Sequence, residues 1–185
     1  IPKRDWSSDV CSSDLGERSI GHTGTLDPRA TGLLALVLGR ATRLASYLTA
    51  SNKSYDADVA LGVATDTDDA EGRPIGEPAA RVPERAEIEA ALDAFRGTFD
   101  QVPPKHSAKK IAGERAYDLA RRDVPLALKP VSVTIHSLDC LAVQGAHVTL
   151  RMTTRAGFYV RALARDLGDR ESTRLNSSHV SESRM

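Results

Sequence analysis

Residues 21–32 (GHTGTLDPRATG) hold three glycines and one proline in twelve positions, and a single carboxylate, Asp27, precedes the proline. Glycine opens backbone conformations that other residues avoid, so this stretch reads as a shaped loop rather than a helix or strand. Pro28 biases Asp27 away from helical backbone and holds it on extended or turn backbone. A carboxylate displayed this way can act as a nucleophile if a cation keeps it ionised and in place. The residues alone leave a second reading open, because an acid beside a proline is also the ordinary make-up of a turn. Gly21, Gly24 and Gly32 exceed what one turn needs and would let the backbone come close to something large.

Other chemistries find less support. Gly16 to Thr23 (GERSIGHT) approaches a phosphate-binding loop, but His22 stands where the lysine is needed and no apolar strand precedes it. The five histidines, His22, His106, His136, His147 and His179, show no metal-ligand spacing, so no metal site is expected. Ser107 lacks the context of a nucleophile elbow. Charge is segregated: residues 56–71 carry six acids and no base, and residues 101–122 carry six bases against Glu114 and Asp118. The basic stretch reads equally as a solvated face or as a patch that tracks phosphates.

The elements that must position these residues follow from periodicity. Leu33–Leu38 reads as a short buried strand and Ala41–Leu48 as a helix. Lys53–Leu61 alternates, with Tyr55, Ala57, Val59 and Leu61 on one face. The Asp/Gly/Pro-rich stretch 62–82 reads as a long loop. Pro83 then opens a helix carrying Ile88, Leu92 and Phe95 and ending at Gly97. Gly113–Arg122 reads as a second short helix. Val131–Leu138 and Ala146–Thr153 read as strands paired through a turn at Gln144-Gly145. Gly157–Gly168 carries a last helix with Val160, Leu163, Ala164 and Leu167 on its apolar stripe. Strands and helices mix without strict alternation, which predicts an α+β fold with a largely antiparallel sheet and flanking helices.

The string GHTGTLDPRATGLL resembles the catalytic motif of the TruB family of pseudouridine synthases. The likeness continues in family order through KSYDADVALGVATDTDDAEG, VPPKHSAKKIAGERAYDLARR and RAGFYVRALARDLG, covering about residues 16–170. It implies a pseudouridine-synthase-like fold and an isomerase that converts uridine to pseudouridine at position 55 in the T-loop of transfer RNA. It further implies Asp27 as the catalytic aspartate, Tyr55 as an active-site tyrosine that stacks on the target base and assists proton removal, and Arg161 as the arginine pairing with the carboxylate. A nearby arginine is expected to hold such an acid charged at neutral pH. His22, Gly24 and Thr25 in the loop, Tyr159 and Leu163 in the last motif, and Lys109 and Lys110 in the SAKK block are implied substrate contacts.

The resemblance implies no cofactor, no metal, a transfer RNA T stem-loop as partner, and a cytoplasmic monomer with no obligatory protein partner. Two alternatives stay open: an RNA-binding or tRNA-folding module without catalysis, and a guide-RNA-dependent ribosomal RNA synthase. The YDADVALGVATDTDDAEG block is similar to bacterial stand-alone members, which argues against the second. Departures from the family pattern are DWSSDVCSSD in place of a strand with a Lys-Pro/Gly motif, a Ser-rich tail after Asp169, and His106 where an aromatic is usual.

Bulk properties agree with a globular domain. The chain has 185 residues, with 25 Lys+Arg against 25 Asp+Glu, so binding driven by overall positive charge is excluded while a local basic groove is not. Aromatics are only 4%, so the core must come from Leu, Val, Ile and Ala. Cys11 and Cys140 form no disulfide framework, and no apolar run approaches the roughly 20 residues of a membrane span. Ten of the sixteen serines fall in residues 1–20 and 171–185. Residues 1–15 and 171–185 are therefore expected to be non-native or disordered, around a catalytic domain at 16–170 incomplete at both ends.

Overall fold

A computed structural model describes residues 16–24, 26–27, 29–79, 81–107, 110–111, 114–115, 122, 128–171 and 177–184. In chain order these form β1 (Ile20–His22), β2 (Leu36–Leu38), a 3-10 turn (Gly39–Leu44), α1 (Ala45–Thr49), β3 (Lys53–Leu61), β4 (Ala64–Thr65) and β5 (Pro74–Ile75). There follow α2 (Arg85–Asp93), β6 (Gly97–Gln101), β7 (Lys110–Ile111), β8 (Glu114–Arg115), β9 (Val131–Gln144), β10 (His147–Thr154), α3 (Val160–Glu171) and β11 (Ser177–Arg184).

Five strands make one antiparallel sheet in the order β11-β3-β10-β9-β6. The alternation in β3 arises because Ala57, Val59 and Leu61 turn to the buried face, while Asp56 and Asp58 turn outward to meet Arg151 and Thr149 across the sheet. β9 and β10 form the expected hairpin, closed at Gly145, whose φ of 57° is the left-handed conformation glycine adopts without strain. The α+β class and its antiparallel sheet are as the sequence predicts.

The core lies between the inner face of the sheet and α2 and α3. Leu150, Met152 and Val148 from β10 meet Ile88 and Leu92 of α2 and Val160, Leu163, Ala164 and Leu167 of α3. Phe95 and Phe99 add an edge-to-face pair with centroids 5.5 Å apart. Burial of this stripe is what makes α3 a rigid mount for the charged residues it carries.

Several local expectations are corrected. The strand expected at 33–38 is only Leu36–Leu38, and it is not buried throughout: Val37 is covered while Leu36 and Leu38 are exposed, because β2 pairs with β1 alone. The helix expected at 41–48 is a 3-10 turn followed by one short α turn. None of its residues is buried, so no tertiary contact rewards regular α geometry there. The stretch 62–82 contains the small hairpin β4–β5 rather than loop alone. Pro83 lies outside its helix, which begins at Arg85 because the Glu87 carboxylate accepts the Glu84 N–H at 2.7 Å and fixes the boundary there. At 113–122, residues 114–115 form a strand paired with β7 instead of helix, and 116–121 lie outside the described residues. Residues 177–184, within the tail 171–185 expected to be non-native or disordered, run as a strand that pairs with the edge of β3. Residues 1–15 lie outside the described residues.

Candidate active site

The glycine-rich loop starts where β1 ends. Thr23, buried, donates from its N–H and hydroxyl to Ala35 O at 3.1 and 3.3 Å. The Lys53 ammonium, at the start of β3, donates to Thr23 O at 3.1 Å. A turn closed by Ala30 N–H to Asp27 O at 2.9 Å then presents the Asp27 side chain. The loop is thus tied to the sheet on one side of the acid and folded back on the other.

Across from it stands Arg161, on the first turn of α3 and nearly buried. Its Nε lies 2.9 Å from Asp27 Oδ2 and its Nη2 donates to Asp27 Oδ1 at 3.0 Å, a two-point grip that fixes direction as well as distance. The remaining donors are also used. Nη1 reaches Thr67 O at 3.3 Å and Asp69 Oδ2 at 3.4 Å, and Nη2 reaches His106 O at 3.0 Å. One guanidinium therefore joins the Asp27 loop, the 65–72 turn and the 102–107 segment.

The start of α3 is itself held in place. Gln101, fully buried at the end of β6, accepts the Tyr159 N–H at 3.0 Å and donates to Tyr159 O at 3.1 Å. A primary amide is the side chain suited to satisfying both backbone groups of one residue.

Burial pushes the Asp27 carboxyl above its ordinary 3.8; Arg161 pulls it down, and the neighbouring Asp69 charge pushes it up again. Desolvation is the largest of these influences, ahead of the arginine. Tyr55 is half-buried against the core, and its phenol is pushed up to about 12, by burial first and then by the Asp27 charge. Burial also lowers the Lys53 ammonium.

Asp27, Arg161 and Tyr55 are brought together. His22 is exposed, with its ring nitrogen against Gly24 O on the same loop. Tyr159 is half-buried beside Arg161, whereas Leu163 is wholly enclosed in the core and backs the site. Thr25 and Lys109 lie outside the described residues, and Lys110 lies on β7. Asp69, His106 O, Gln101 and Lys53 were not anticipated from the sequence. Within the run TDTDD, Asp68 and Asp69 find their cations on α3, while Asp66 accepts the Arg73 N–H. Among the described residues, no group of three or more His, Cys, Asp or Glu side chains could hold a metal ion.

The family model for TruB pseudouridylate synthases (N-terminal domain) matches residues 13–160. The chain belongs to this family. A tRNA pseudouridine synthase B from Cereibacter sphaeroides is 52% identical over 155 residues, covering 83% of this chain and 51% of that protein. One from Gloeobacter violaceus is 46% identical over 158 residues, covering 83% of this chain and 54% of its own length. This TruB-family chain thus spans about half the length of the curated relatives it matches. Among solved structures, a chain of a Cbf5-Nop10-Gar1 complex superposes with a TM-score of 0.66 at 24% identity, covering 95% of this chain and 42% of that one, which supports the fold.

Proposed function

We propose that this chain carries the catalytic centre of a transfer RNA pseudouridine synthase acting on the uridine at position 55 of the T-loop, with Asp27 as the catalytic aspartate. The observation that carries the reading is the two-point Arg161–Asp27 contact on a loop that leaves the carboxylate about a third exposed, at 32%. A carboxylate has about four lone-pair sites, so Arg161 orients the group while leaving it able to meet a substrate.

The reaction breaks the C1′–N1 bond of the nucleotide, turns the freed uracil and forms a C1′–C5 bond. No group is added and no net oxidation occurs, so the chemistry calls for neither coenzyme nor metal. Asp27 supplies the nucleophile or charge stabiliser near the sugar and base. The target must leave its stack, at a cost of a few kcal/mol, and the Tyr55 ring offers a stacking surface in return. A phenol pushed up to about 12 is ionised in only about one molecule in 10^5 at pH 7. Tyr55 therefore serves as a neutral ring and hydroxyl, and water is the better acceptor for the C5 proton. His22, Gly24, Thr25 and Tyr159 would line the path of the nucleotide, and Lys109 and Lys110 would meet phosphates. In this reading the chain acts in the cytoplasm as a monomer. Among the described residues, no helix is long and apolar enough to cross a membrane.

The test is tritium release from a T-loop transfer RNA labelled at uridine C5. The chain should release tritium, and Asp27→Asn should lose about 10^4-fold in rate while RNA affinity persists. Equal release from both would overturn the role of Asp27. Binding without release from either would favour a non-catalytic RNA-binding module.

A further inference from the structure

Arg161 and Arg165 stand one helical turn apart on the same face of α3, and they repeat one pattern of contacts. Arg161 reaches Asp69 of the 65–72 turn at 3.4 Å and His106 O of the 102–107 segment at 3.0 Å. Arg165 reaches Asp68 of the same turn at 3.0 Å and Val102 O of the same segment at 2.8 Å. Its head group is further braced by Asp166 Oδ1, at 3.0 Å from Nε and 2.8 Å from Nη2. Arg165 makes no contact with Asp27, so it does not touch the reacting centre.

We propose that Arg165, through Asp68 and Val102 O, is a positioning residue that holds the 65–72 turn and the 102–107 segment so that Arg161 keeps its grip on Asp27. The covalent chain supplies the lever. Asp68 lies between Thr67, whose carbonyl accepts from Arg161 Nη1, and Asp69, whose carboxylate does the same. Displacing Asp68 must carry both away from Arg161. Asp68 also has a φ of 57°, the left-handed region disfavoured for a residue with a side chain, so its conformation has to be held by contacts. On the other side, Pro103 and Pro104 stiffen the link from Val102 to His106, so an anchor on Val102 O is transmitted to His106 O. The Arg165–Asp68 pair is largely shielded, with 26% and 20% of the side chains exposed, which keeps it from being screened like an open surface pair.

The role in turnover rests on the proposed pseudouridine synthesis; the geometric role does not, and two measurements separate them. The first is hydrogen exchange of the Arg161 Nε–H, which faces Asp27, followed by NMR in the full chain. In Arg165→Met, exchange should quicken about tenfold, and Arg165→Lys, which keeps a charge for Asp68 but cannot also span Val102 O, should fall between. Unchanged exchange in Arg165→Met overturns the proposal whatever the substrate. The second is single-turnover tritium release, normalised to folded protein. Arg165→Met and Asp68→Asn should each lose about tenfold in rate constant with RNA affinity within about twofold. A wild-type rate per folded molecule in both variants would reduce Arg165 to a stabilising role and overturn the proposal. Absence of release from the unmodified chain would overturn the proposed function instead, and the exchange measurement would still decide the positioning role.

Discussion

Arg161 meets Asp27 with Nε at 2.9 Å and Nη2 at 3.0 Å, and Arg151 meets Asp56 with Nε at 2.8 Å and Nη2 at 3.0 Å. Asp56 sits next to Tyr55 on β3, facing the opposite side of the sheet from the core. The local geometry of the two pairs is nearly the same, and their surroundings are not. Only 9% of the Arg161 side chain is exposed against 56% of Arg151. Arg161 also serves three further acceptors, from two other segments. The outer pair belongs to a polar ladder with Asp58–Thr149 and Ser54–Thr153, where water and salt compete for every charge. The inner pair works where desolvation makes each charge expensive and each contact strong. Distance therefore does not distinguish the two ion pairs in this molecule; burial and the number of segments joined do.

Breaking the inner pair should have the largest effect. Arg161→Lys keeps the charge but not the fork, so Asp27 loses its two-point hold, and turnover should fall about 10^2-fold or more in a tritium-release assay. Thermal unfolding should shift downward as well, because Asp27 and Asp69 then face each other with poorer compensation.

The pH dependence sharpens the contrast. Activity that requires ionised Asp27 should be lost as pH falls through a midpoint above the ordinary 3.8, since burial raises this carboxyl. Removing the Arg161 fork should move that midpoint further up, because the guanidinium pulls it down. The corresponding stability effect has a definite sign. A carboxyl raised in the folded state contributes stability below its unfolded value, and that contribution is lost as pH rises through the folded value.

Tyr55→Phe probes the same pocket more gently. A ring that stacks and stays neutral predicts a loss within about tenfold, whereas removal of a general base would cost about 10^2- to 10^4-fold. Ultraviolet titration of the unmodified chain should show a tyrosine ionising at about 12 that is missing from Tyr55→Phe. The smallest effect is expected at the outer pair. Asp56→Asn with Arg151→Gln should leave turnover within about twofold, and any change in unfolding temperature should vanish at high salt.

The parts of the fold legible in the sequence are those whose pattern and packing agree. β3 alternates because one face meets α3 and the other meets solvent or charge. The α3 stripe of Val160, Leu163, Ala164 and Leu167 is the face that is buried. The stretch 33–48 misled because its leucines imply burial, yet Leu33, Leu44 and Leu48 are exposed, at 60%, 55% and 46%. Apolar composition alone does not say whether a covering surface exists. The acidic run 56–71 divides in a way that composition hides: Asp56 and Asp58 pair across the outer sheet face, while Asp68 and Asp69 turn toward α3.

The order of residue types along the chain determined the antiparallel sheet, the amphipathic last helix and the loop that displays Asp27, because each depends on local periodicity and backbone preference. That the cation meeting that acid from 134 residues away would also bind Asp69 and two backbone carbonyls was decided only on folding. Carbonyls belong to every residue and leave no mark in a sequence. The raised carboxyl follows for the same reason: desolvation belongs to the packed enclosure around Asp27, not to the residue itself.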